Sequence, residues 1–276
     1  MVDLDAMINE LQFGTVAVLG VPLDENSSFM QGSALAPARI RKVLHAGSAN
    51  LCAESGLDLG AETRWRDLGD VAFLGGATAF EQIEHAIAQL LDRDVRVFTL
   101  GGDHSITYPI VRAYSRKHPK LNILQLDAHP DLYDEFDGNR YSNACPFARI
   151  MEEQLVARLV QVGIRTMNPH QRQQAKRFGV EVIEMGAWHP GIALDFDGPV
   201  YLSLDMDALD PAFAPGVSHH EPGGFATRHV LGIIQNLKTP IVGADIVEFN
   251  PERDPVGITA MVAAKFMKEI IAQMLG

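Results

Sequence analysis

The sequence predicts a three-layer α/β/α sandwich built on a mostly parallel sheet, and three observations carry that prediction. Short apolar runs of strand length alternate with segments whose apolar residues recur at helical spacing. The runs read as strands covered on both faces, as in a parallel sheet packed between helices. Polar and charged residues that do not belong in a core gather where these runs end, and in open α/β sheets the crevice beyond the carboxyl ends of the strands binds ligands.

The first strand is Thr15–Val21, closed by Pro22 and followed by the small, polar loop N-S-S-F-M-Q-G-S-A-L-A-P. A helix starts around Pro37, where a missing N–H costs little, with Arg39 and Arg41 on a solvated face. Asn50–Trp65 shows no clear period, and D-L-G-D-V at 67–71 reads as a strand edge or turn. Phe80, Ile83, Ile87, Leu90 and Leu91 make Ala79–Asp92 an amphipathic helix. Strand Val95–Leu100 follows and ends in G-G-D-H-S. Next come helix Tyr108–Lys117, strand Leu121–Leu126, helix Phe147–Arg158, strand Leu159–Ile164, helix Pro169–Phe178 and strands Val180–Ile183 and Val200–Leu204. Helix Thr227–Leu237, strand Ile241–Val247 and a helix over Gly257–Met274 close the series. In that last helix Met261, Val262, Phe266, Ile270 and Met274 read as core rather than assembly surface. With no linker, low-complexity tract or internal repeat, residues 1–276 read as one domain. A closed eight-stranded barrel is the rival architecture.

A hydrophobic content of 47% is ample for a globular core. The net charge of −12 argues against nucleic acid as a partner, because phosphate recognition needs clustered Lys and Arg, and it suits a cationic small molecule better. Cys52 and Cys145 lie far apart and suggest no disulfide framework, which fits a reducing, cytoplasmic setting. The opening M-V-D-L-D-A-M-I-N-E lacks a basic start and a continuous apolar stretch. No apolar run approaches the roughly 18 residues of a membrane span, so neither a leader nor a membrane partner is expected.

The chemistry concentrates in L-N-I-L-Q-L-D-A-H-P-D-L-Y-D-E-F-D, where an apolar run gives way to Asp127, His129 and Asp131. Their spacing of two sends alternate side chains of an extended segment the same way. V-Y-L-S-L-D-M-D repeats the pattern with Asp205 and Asp207. His104 in G-G-D-H-S and Glu248 in D-I-V-E-F-N-P bring the strand ends to four. Four aspartates and two histidines suit Mn²⁺, or else Ni²⁺, Co²⁺ or Fe²⁺, better than a Cys-bound zinc. Six ligands are too many for one catalytic ion and about right for two. Ions roughly 3.5–4 Å apart lower the pKa of a shared water and aim it at an electrophilic carbon or phosphorus, so the reaction class is metal-assisted hydrolysis.

G-G-D-H-S (101–105), D-A-H-P-D (127–131) and S-L-D-M-D-A-L-D-P (203–211) resemble the three signatures of the ureohydrolases, the arginase and agmatinase family. The resemblance runs from G-V-P-L-D at 20–24 to V-E-F-N-P at 247–251. It implies two manganese ions, hydrolysis of a guanidinium compound to urea and an amine, and a homo-oligomer, commonly a trimer or hexamer. By this resemblance His104, Asp127, Asp131 and Asp205 look like ligands of one ion. Asp127, His129, Asp205 and Asp207 look like ligands of the other, with Asp127 and Asp205 bridging. Glu248 matches the carboxylate that receives the guanidinium, for which two parallel hydrogen bonds would be apt. Asp131 is also a candidate proton acceptor.

One departure stands out. N-R-Y-S-N-A-C puts Asn143 where relatives carry a His thought to shuttle a proton to the leaving amine, and an amide does not titrate near neutral pH. Weak turnover is one expectation, and a silent metal-binding homologue with a regulatory role is an alternative. A two-metal phosphoesterase is the third reading. Tyr133 stands where arginases resemble one another in having an Asn that reads the amino-acid head group, which points to agmatine, giving putrescine, ahead of arginine or other guanidino compounds. G-V-S-H-H-E-P-G-G puts His219 and His220 in a loop bordering the site. His219 is a candidate substrate contact, although free histidines in such a loop are commonly plain surface residues.

Overall fold

The computed structural model describes residues 7, 8, 10–74 and 78–276, so most of the opening decapeptide lies outside the described residues. Eight strands form one sheet: β1 (Val16–Val21), β2 (Trp65–Asp70), β3 (Arg96–Gly101), β4 (Asn122–Leu126), β5 (Arg158–Ile164), β6 (Glu181–Glu184), β7 (Val200–Asp205) and β8 (Ile241–Val247). All pairings are parallel, in the order β2-β1-β3-β8-β7-β4-β5-β6. Among the described residues nothing pairs β2 with β6. The sheet is therefore open, and the barrel is excluded.

Helices α1 (Ala36–Leu44), α2 (Ala79–Asp92), α3 (Thr107–Lys117), α4 (Pro146–Glu152), α5 (Pro169–Phe178), α6 (Thr227–Asn236) and α7 (Ile258–Leu275) cover the two faces. The period-2 geometry of a strand divides β1 cleanly. Val16 and Val18 pack with Ile40 of α1, Ile234 of α6 and Phe266 of α7, whereas Ala17 and Leu19 pack with Ile87 of α2, Val111 of α3 and Phe147 of α4. Of the last helix's five expected core residues, Phe266, Ile270 and Met274 are buried, whereas Met261 and Val262 are only half-buried.

Local chemistry sets the ends of these elements. Thr78 and Glu81 form a reciprocal capping box at the start of α2, as Asn168 and Gln171 do for α5, which ends on the left-handed Gly179. The helix read as Phe147–Arg158 stops at Glu152. Gln154 takes a left-handed backbone (φ 55°), and the N–H of Ala157 donates to the Leu121 carbonyl at 2.7 Å, drawing the chain into β5 at Arg158. The ambiguous D-L-G-D-V segment belongs largely to the edge strand β2. Arg41 is not on a solvated face. Its Nε donates to Asp67 at 2.7 Å and its other nitrogens reach Asp70 and the Gly69 carbonyl, tying α1 to that edge.

Candidate metal centre

Four neighbouring strands at the middle of the sheet, β3, β8, β7 and β4, deliver the polar residues at their carboxyl ends. The turn after β3 brings in His104. Glycine is required there at Gly102, because a Cβ would lie 2.0 Å from the Leu23 carbonyl oxygen. β4 ends at Leu126, so Asp127, His129 and Asp131 leave from a coil and not from an extended strand. Asp131 reaches the cluster through a left-handed backbone, φ 50°. Asp205 ends β7, and its Oδ1 accepts the Asp207 N–H at 2.7 Å, which folds Asp207 back beside it. Glu248, just past β8, also has a positive φ of 62°, with its N–H donating to the Gly102 carbonyl. Strained backbone of this kind persists where surrounding structure over-determines it, and it clusters at functional sites.

The side chains meet in two groups, both capable of holding a metal ion. His104 Nδ1 lies 3.2 Å from Asp127 Oδ2, 3.0 Å from Asp131 Oδ2 and 3.2 Å from Asp205 Oδ2. His129 Nδ1 lies 3.0 Å from Asp207 Oδ2 and 3.6 Å from Asp127 Oδ1. Asp127 thus turns one oxygen to each group.

The donor set fits a divalent cation. Ser203 Oγ donates to Asp245 Oδ1 at 2.8 Å, so its lone pair faces His104 Nε2, 2.9 Å away, and Nε2 carries the ring proton. With a cation bound and His104 neutral, Nδ1 would be the bare nitrogen, facing three carboxylates. That buried atom has no hydrogen-bond partner. Lone pairs converging in a buried space are favourable when a cation sits among them. Burial and the adjacent Asp127 charge push Asp131 up to about 7, and burial with the Asp207 and Asp127 charges pushes Asp205 well above the carboxylate range. For Asp127 burial acts upward, but the two histidines outweigh it and hold this carboxyl low.

Above the clusters lies a cleft of about 190 Å³. Asp131, His129, Asp205, Asp207, Glu248, Asn143, Tyr133 and His219 all line it, whereas His104 and Asp127 lie in the fully buried cluster below. Every candidate site residue of the sequence is thus brought to one place. His219 is half-buried with its ring 5.6 Å from that of His129, while His220 is exposed and bonded to the Pro215 carbonyl. Tyr133 is held by a 2.7 Å bond from Asn168 Nδ2 to its hydroxyl and stacks on His170. No residue lining the cleft is Lys or Arg among the described residues.

Several contributors were not singled out from the sequence. Ser203 and Asp245 support His104, and Asp245 also accepts from Thr107 Oγ1 and Tyr201. Gln125 Nε2 donates to Asp127 Oδ2 at 2.7 Å and is itself held by Gln161. Glu221 Oε1 stands 3.8 Å from His129 Nε2. A charged or amide residue inside an otherwise apolar strand, as Asp245, Gln125 and Gln161 are, was the available signal.

An open parallel sheet with this cradle of carboxylates and imidazoles at its carboxyl edge defines a metal-dependent hydrolase. The arginase family model matches residues 14–272, and the chain belongs to that family, the ureohydrolases. It is 47% identical to the mitochondrial arginase 1 of Arabidopsis thaliana over 277 residues, covering 94% of this chain and 81% of that protein. It is 32% identical to an agmatinase of Bacillus cereus, covering 93% and 90%. The solved arginase of Medicago truncatula superposes with a TM-score of 0.89 at 42% identity, covering 98% of this chain and 91% of that one.

Proposed function

We propose that this protein hydrolyses a guanidino compound to urea and an amine, with L-arginine as the first substrate to test. One observation carries the reaction class: His104, Asp127, Asp131, Asp205, His129 and Asp207 converge at the floor of a cleft that Glu248 also lines. The substrate preference rests on similarity, 47% to a plant arginase against 32% to an agmatinase. Agmatine stays as the second reading because, among the described residues, the cleft has no Lys or Arg to meet an α-carboxylate.

In this reading His104, Asp127, Asp131 and Asp205 hold one ion, and Asp127, His129, Asp205 and Asp207 the other, with Mn²⁺ as the first candidate. Such ions, when bound, lower the pKa of a water towards neutrality. Glu248 receives the cationic guanidinium and orients its flat carbon. Asp131, which lines the cleft with Glu248, is placed to accept the proton of the attacking water. Asn143 cannot share that duty, because its amide does not titrate.

Urea release from L-arginine, agmatine, 4-guanidinobutyrate and guanidine, with Mn²⁺ and then Ni²⁺, tests the proposal. Urea from one of them with loaded protein is expected. Two bound ions with no urea from any would sink it in favour of a silent metal-binding homologue.

A further inference from the structure

We infer that Asn143 is a positioning residue for Glu248, one that commits half of this carboxylate and leaves a single oxygen for the substrate. The inference rests on the guanidino-hydrolase reading for its functional meaning. Both donors that reach Glu248 land on Oε1: the His104 backbone N–H at 2.8 Å and Asn143 Nδ2 at 2.9 Å. Two donors on one carboxylate oxygen can occupy both of its lone pairs. Among the described residues no hydrogen bond reaches Oε2, so guanidinium is received there alone. The two-oxygen fork expected from the chemistry of the pair is closed.

The amide orientation of Asn143 follows from its other partners. Its Oδ1 accepts the Ser28 backbone N–H at 2.9 Å and the Ser142 hydroxyl at 3.2 Å, which turns Nδ2 towards Glu248. The Asn143 N–H is itself anchored on the Asn26 carbonyl at 3.0 Å. This one residue therefore joins the loop after β1, the loop after β4 and the residue that follows β8. Asn143 is buried and Glu248 is held at a positive φ, so the carboxylate is fixed before substrate arrives. Preorganisation of this kind lowers the cost of binding.

The test compares wild type with Asn143→Ala and Asn143→His, all loaded with Mn²⁺, by crystal structure, metal content and urea-release kinetics. In Asn143→Ala the Glu248 carboxylate is expected to leave its present position while two ions per chain are retained. KM should rise about ten- to a hundredfold, the value of one hydrogen bond to a charged group. Asn143→His keeps an N–H on that side, so Glu248 should stay in place and KM stay within about threefold of wild type, whatever happens to kcat. A Glu248 that does not move in Asn143→Ala overturns the inference, as does an unchanged or lower KM, or a histidine variant that behaves like alanine. If wild type releases no urea, the guanidino reading fails by itself, and the position of Glu248 in the two variants still decides the role of Asn143.

Discussion

Ser203 Oγ stands 2.9 Å from His104 Nε2, on the side of the ring away from the carboxylates. Because the Ser203 hydroxyl proton is committed to Asp245, the contact dictates which imidazole nitrogen is left bare to face Asp127, Asp131 and Asp205.

Ser203→Ala should therefore weaken metal binding while every proposed ligand is kept. Loss of a partner behind a ligating His commonly costs about 10–100-fold in affinity. Competition with a metallochromic chelator measures this, and an affinity equal to wild type would rule out the tautomer role.

Metal content should separate the two groups. Asp127 offers an oxygen to each histidine, so Asp127→Ala is expected to empty both positions, whereas Asp207→Ala should keep close to one ion per chain. Elemental analysis after gel filtration reads the difference. Equal stoichiometry in the two variants would contradict the division of the site.

Chelated protein should lose stability as pH rises from about 4 to 8. Asp131 is raised to about 7 and Asp103, by burial and the Glu248 charge, to about 8. In that window the folded chain keeps protons that unfolded carboxyls, near 4, have released, so stability falls with pH. The two histidines act the same way. Burial lowers them, but His104's carboxylate partners, and Asp207 and Asp127 around His129, raise both well above the usual value, so their contribution is lost as pH climbs through the folded value. Asp127 is held low, and its contribution is lost only in stronger acid. Thermal scans should show the fall in chelator and a smaller one in saturating Mn²⁺. A flat or rising midpoint without metal would refute it.

Gly163→Ala should cost about 1–3 kcal/mol, the usual range for a strained φ or an overpacked core. Gly163 has a φ of 99°, and a Cβ would come 2.5 Å from the Phe225 ring and 3.1 Å from the Asp127 carbonyl. Urea denaturation measures the change, and a wild-type midpoint would show that the ring yields freely.

Much of this was legible in the chain because parallel strands buried on both faces print as apolar runs, and because ligand-type residues at strand ends interrupt them abruptly. Asp127, His129 and Asp131 were found by their spacing, yet Asp131 arrives by a left-handed turn that spacing does not reveal. The barrel stayed open as a rival because strand count says nothing about whether the outer strands pair. Arg41 looked solvated because its partners, Asp67 and Asp70, are on a strand whose weak apolar pattern reflects its edge position. The bond from Asn143 to Glu248 spans 105 residues, and no local pattern encodes it.

Among the described residues every candidate metal ligand and Glu248 lie at or just past the ends of β3, β8, β7 and β4, the inner half of the sheet, and none lies past β2 or β6 at the flanks. Extra chain grafted onto either flank would enlarge the protein without jarring the cradle. A lineage built on this plan is free to acquire new neighbours at its margins and keep the same reaction at its heart.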